Sequence, residues 1–111
     1  MATSESVLEV TDQNWADEVE GNEGLTMVDF WAVWCGPCRM VAPVVEELAG
    51  DYGDKGLKVA KLDVDSNPET TVKFGVRSIP SILFFKGGEM VDKVVGAVPR
   101  ALLEEKITQH L

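Results

Sequence analysis

Apolar positions along this chain fall into two alternating patterns. Short runs rich in apolar residues occur at Val7–Val10, Leu25–Ala32, Leu57–Val64, Ser81–Phe85 and Met90–Val95, and these predict strands. Leu25–Ala32 is broken by a single charge, Asp29, as suits a strand buried on both faces. Between the runs, apolar residues recur at helical spacing. Trp15 and Val19 share one face, Met40, Val41, Val44, Val45 and Leu48 form a longer stripe, and Leu103, Ile107 and Leu111 form a third. Local signals mark the boundaries. Thr11 is the expected N-cap of the first helix and Gly21 its stop. Gly50 is the expected end of the second helix, and Pro43 inside it is expected to kink it, since its ring removes a backbone hydrogen bond. Asn67 is read as the cap, and Pro68 as the first residue, of a short helix running to about Phe74. Lys86-Gly87-Gly88-Glu89 is a hairpin signal, and Pro99 starts the last helix.

The predicted order is β-α-β-α-β-α-β-β-α. Alternation in the first half implies parallel strands with right-handed crossovers, and the late hairpin adds antiparallel ones. The expectation is an α/β fold with a mixed central sheet of about five strands and about four helices on its two faces. No repeat or linker interrupts the 111 residues, so residues 1–111 read as one domain, with residues 1–6 as a loose N-terminal extension.

Charge narrows the partners. Lys and Arg number 10 against 19 Asp and Glu, a formal net charge of −9. Nucleic-acid binding needs clustered cations, and anionic lipid repels such a chain, so neither is an expected partner. The charge serves solubility or steers basic partners inward. No apolar run reaches the roughly 20 residues of a membrane span, and the first residues lack the charged and apolar regions of a signal peptide. The expected location is the cytoplasm. The only two cysteines, Cys35 and Cys38, are too close together to staple a secreted fold.

The chemistry concentrates at Trp34-Cys35-Gly36-Pro37-Cys38. Cys35 follows a buried strand and opens a helix, where unpaired N–H groups and the helix dipole favour a thiolate. The thiolate is the attacking species in disulfide exchange. Cys38 lies one helical turn on and deeper. Cys35 is therefore the nucleophile, and Cys38 resolves the mixed disulfide that Cys35 forms with a partner. Pro37 suits the first turn of a helix, and Gly36 leaves room for an incoming chain. A zinc site would need four ligands, and beyond the cysteines only His110 is available, so no metal is expected. A purely structural disulfide closing so short a loop would constrain the unfolded chain little.

These residues, together with Val28-Asp29-Phe30-Trp31-Ala32, Arg39-Met40 with Pro43, Lys61-Leu62-Asp63-Val64-Asp65, Arg77-Ser78-Ile79-Pro80-Ser81, Phe85-Lys86-Gly87-Gly88 and Gly96, resemble the thioredoxin family from about Val7 to Leu111. The resemblance implies that Asp29 accepts the proton of Cys38 and that Lys61, on the neighbouring strand, tunes Asp29. It also implies that Ile79 and a cis-Pro80 face the cysteines and offer backbone to an extended substrate, with Trp34 on the surface beside Cys35. Gly96 matches a family glycine near the same surface, although a bend alone would also use it. Trp31 reads first as a core aromatic. Val33 stands where many thioredoxins carry Pro or a polar residue, which bears on partner choice.

The implied activity is reduction of disulfides in partner proteins by a monomer. The chain would bind no cofactor, and its recycling would come from a thioredoxin reductase that carries the flavin and uses NADPH. Two other readings are a disulfide oxidase or isomerase, and a binding subunit of a larger complex whose thiols only gate docking.

Overall fold

The structure, a computed structural model, describes residues 6–111. Residues 1–5 of the expected N-terminal extension lie outside the described residues. The elements run β1 (Val7–Glu9), a π-helical turn (Ala16–Glu20), β2 (Leu25–Trp31), α1 (Gly36–Tyr52), a 3₁₀ turn (Gly53–Lys55), β3 (Leu57–Asp63), α2 (Pro68–Lys73), β4 (Ser81–Lys86), β5 (Glu89–Val95) and α3 (Arg100–His110). The five strands form one sheet in the order β1-β3-β2-β4-β5. β3 pairs parallel with β1 and β2, while β4 pairs antiparallel with β2 and β5. This is the α/β fold with a mixed sheet that the patterning predicts.

Strand alternation divides the core into two layers. On one face, Leu25, Met27, Leu57, Val59, Ile82 and Phe84 pack against Val41, Val45 and Leu48 of α1 and Leu103 and Ile107 of α3. On the other, Val28, Phe30, Ala60, Leu62, Leu83 and Phe85 pack against Trp15 and Val19. Trp15 meets Phe85 edge-on with ring centroids 5.1 Å apart. Asp29 is in the same phase as Leu25 and Met27, so the sheet's alternation turns its carboxyl towards α1.

Several boundaries differ from expectation for identifiable reasons. Thr11 does cap a turn: its Oγ1 accepts from Asn14 N at 3.2 Å, and its own N donates to Asn14 Oδ1 at 2.7 Å. The residues that follow widen into a π-helix, closed by Gly21 N donating to Ala16 O at 2.8 Å. Gly21 serves through lack of bulk, because a Cβ there would lie 2.7 Å from Asp17 O. Gly50 does not end α1, which continues to Tyr52. Ala49 is buried and Tyr52 Oη donates to Glu104 of α3 at 2.7 Å, so packing carries the last turn past the glycine. Asn67 makes no cap bond to α2. Its side chain bridges Asp12 N and Asp63 O instead, and Asp12 caps α2 from a distance. Asp12 Oδ1 accepts from Thr70 N at 2.9 Å, and Oδ2 accepts from Glu69 N at 3.3 Å. The hairpin matches its signal: Gly87 and Gly88 have φ of 60° and 84°, the positive values that a twist-matched two-residue turn needs.

Candidate active site

β2 ends at Trp31, and the chain crosses the C-terminal edge of the sheet before entering α1 at Gly36. Cys35 occupies the N-cap of α1 in extended conformation, and its Sγ accepts from Cys38 N at 3.2 Å. A sulfur atom thus takes the place of the usual capping oxygen and sits where the helix dipole is positive. Cys35 and Cys38 form a disulfide, with Cα atoms 5.3 Å apart. The sequence places Cys38 deeper than Cys35, but both are 3% exposed. Cys35 is covered from the loop before β4, since its Sγ lies 3.8 Å from Ile79 O.

That loop is held firmly. The Ile79–Pro80 peptide is cis, as the resemblance implied, and Pro80 is buried. Gly96 N donates to Pro80 O at 2.8 Å, and Ser81 Oγ donates to Ser78 O at 2.5 Å. Gly96 has a φ of 102°, which a residue with a side chain rarely adopts, so its place beside Pro80 depends on being glycine. Gly36 and Pro37 are exposed at the start of α1. A Cβ at Gly36 would meet nothing within 4 Å, so its value lies in an open surface rather than in fit. Trp34 is 67% exposed. Its indole Nε1 donates to Asp65 Oδ2 at 2.8 Å, which orients the ring beside Cys35. Val33 is also exposed, and its carbonyl accepts from the Arg39 guanidinium at 2.8 Å.

Beneath the disulfide, Asp29 is buried and its Oδ1 has no hydrogen-bond partner among the described residues. Burial pushes its pKa up from 3.8 to about 7, and the nearby Lys61 charge opposes this only in part. Lys61 is the direct register partner of Asp29 across β2 and β3. Its Nζ lies 5.5 Å from the ring centroid of the half-buried Trp31. The two ionisable groups therefore influence each other through space. Asp29, Lys61, Trp31 and Cys38 all line one cavity of about 530 Å³ between the sheet and α1.

The structure thus brings Cys35, Cys38, Ile79, Pro80 and Gly96 into one cluster, with Asp29 and Lys61 behind it and Trp34 at its edge. Asp65 and Arg39 stand in the stretches that carry the family resemblance, which gives them no role; the structure shows them fixing the Trp34 loop. Asp65 lies 31 residues from Trp34, and no local pattern links the two. Among the described residues no group of His, Cys, Asp and Glu is arranged to hold a metal ion, and no helix is long and apolar enough to cross a membrane.

Comparison with known proteins agrees with this geometry. The sequence model of the thioredoxin family matches residues 6–109. A thioredoxin of Staphylococcus saprophyticus is 55% identical over 106 residues, covering 96% of this chain and 99% of that protein. Thioredoxin 2 of Chlorobaculum tepidum is 50% identical over 103 residues, covering 93% of this chain and 94% of that protein. The chloroplastic M-type thioredoxin of Pisum sativum is 52% identical over 102 residues, which are 92% of this chain and 59% of that protein.

Proposed function

The chain belongs to the thioredoxin family and is a thiol-disulfide oxidoreductase, and from that premise we propose that it works as a general reductant of protein disulfides. The observation that carries this reading is the capping bond from Cys38 N to Cys35 Sγ at the positive end of α1. Hydrogen bonding to the sulfur favours its thiolate over its thiol, and the thiolate attacks.

In the reduced chain, Cys35 Sγ attacks one sulfur of a partner disulfide. A Cys35–partner disulfide forms, and the partner's other sulfur leaves as a thiolate and takes up a proton. Trp34, Gly36, Pro37, Ile79, Pro80 and Gly96 form the surface against which the partner segment lies, with backbone of Ile79 pairing to it as an added strand would. Cys38 then gives its proton to Asp29 and attacks Cys35 Sγ, releasing the second partner sulfur. The partner gains two electrons and two protons, and Cys35–Cys38 is left oxidised. Asp29 suits the base role because a pKa of about 7 leaves it able to accept and give a proton near neutrality. Lys61 tunes that value by favouring the charged carboxylate. A thioredoxin reductase, carrying flavin and drawing on NADPH, returns the pair to dithiol.

We place this chemistry in a cytoplasmic monomer whose residues 1–111 form one domain. Neither the oxidase or isomerase reading nor the thiol-gated subunit draws support from the site or the relatives.

Single-cysteine variants test the assignment. Cys38→Ser, mixed with a disulfide-bonded protein, accumulates a covalent complex through Cys35 that is visible by mass spectrometry. Cys35→Ser forms none at comparable rate. Equal trapping by both variants would overturn the division of roles.

A further inference from the structure

The cavity between β2, β3 and α1 is larger than proton transfer between Cys38 and Asp29 requires. At about 530 Å³ it falls within the range of small-molecule pockets, roughly 300–1,000 Å³. Val7, Ala32, Val33, Ala42 and Val45 line it, together with Trp31. Against this apolar lining stands the Asp29 carboxyl, 5% exposed, with an oxygen that no described residue satisfies. A buried acceptor without a donor is costly, so a molecule that brings a donor to it gains by pairing. The remaining charged lining consists of Lys61 from β3 and Arg39 and Glu46 from α1. With Asp29 ionised, these are two cations and two anions. A charged guest therefore gains from one pair what it loses to the other. An uncharged guest avoids both effects and still satisfies Asp29.

We propose that this cavity is a binding site for a small neutral molecule with an apolar body and one hydroxyl group that donates to the Asp29 carboxyl. Cys38 lines the same cavity, so the guest would stand beside the resolving thiol and compete for the group proposed to take its proton. The site would thereby couple occupancy to the second step of disulfide exchange. A donor favours the ionised carboxylate, so the guest binds more tightly as pH rises through about 7, and its binding in turn lowers the Asp29 pKa.

Benzyl alcohol is a suitable probe, and toluene is the same shape without the donor. Each is titrated into the oxidised full chain while amide resonances are followed by NMR. Benzyl alcohol should produce saturable shifts at Val7, Ala32, Ala42 and Val45, with a dissociation constant on the order of 1 mM, as its size allows. Toluene should bind about fivefold more weakly, the worth of one hydrogen bond. The benzyl alcohol constant should tighten about threefold between pH 6 and pH 8, as the ionised fraction of Asp29 rises from about one tenth to about nine tenths. Ala42→Leu, which fills the cavity from α1, should remove binding in a chain whose circular dichroism is unchanged. Absence of saturable shifts in the wild-type chain would overturn the proposal. So would toluene binding as tightly as benzyl alcohol with no dependence on pH, and neither of those results needs the variant to fold.

Discussion

Replacing Asp29 by Asn should move stability relative to wild type increasingly in the variant's favour as pH rises through a defined window. The folded chain holds Asp29 with a pKa of about 7, whereas the unfolded chain returns it to about 3.8. Between those values the folded state binds the proton and the unfolded state does not, so wild-type stability falls as pH rises. The protonated carboxyl's contribution is fully present below about pH 3.8 and is lost by the time pH has passed about 7. A gap of about 3 pKa units at 1.36 kcal/mol each amounts to about 4 kcal/mol. Asn cannot ionise. Whatever fixed cost or gain its amide brings, the difference between variant and wild type should widen by about 4 kcal/mol from pH 3 to pH 8 and then level off. Urea unfolding of the oxidised proteins measures this directly. With a slope of about 2 kcal/mol per M for a chain of this size, the midpoints should separate by about 2 M more at pH 8 than at pH 3. Parallel stability curves across that range would refute the reasoning, because they would mean that Asp29 is not held neutral by burial.

Lys61→Met removes the charge that opposes burial, so the Asp29 carboxyl should titrate above about 7, read by NMR of the side-chain carbon; an unchanged or lower value would remove Lys61 from its tuning role. Asp12→Ala deletes the cap of α2 and should cost about 1 kcal/mol of stability in urea, with exchange of the Glu69 and Thr70 amides accelerated. Gly88→Ala places a Cβ 3.0 Å from Glu20 O at a φ of 84°, and should cost about 1–2 kcal/mol by thermal unfolding, whereas Gly36→Ala should cost far less.

Where one stretch of sequence decides one stretch of structure, the fold is legible in the chain. The five apolar runs became the five strands, and Gly87-Gly88 supplied a turn that only local chemistry governs. The position of Cys35 at a strand-to-helix junction also followed from neighbouring residues alone. Expectation failed where a distant residue intervened. Asp12 displaced Asn67 as the cap of α2, and Glu104 and the core held α1 together past Gly50. At the site, the cysteines were legible from spacing. Asp29 stood out as one charge in an apolar run, yet its role and that of Lys61 rested on family resemblance, because strand register cannot be read from either strand by itself. Asp65 and Arg39 lie in motif stretches, yet nothing in the sequence ties either to the Trp34 loop that they fix. Equal burial of Cys35 and Cys38 was likewise invisible, since the covering atom is Ile79 O from the loop before β4.

Whether the Cys35–Cys38 pair is a reductant is decided by its equilibrium reduction potential. The pair is titrated against glutathione or dithiothreitol, with fluorescence of the adjacent Trp31 and Trp34 as the signal. A reductant should show a potential within about 30 mV of −270 mV, the value characteristic of thioredoxins. A potential above about −200 mV, in the range of disulfide isomerases and oxidants, would contradict that role.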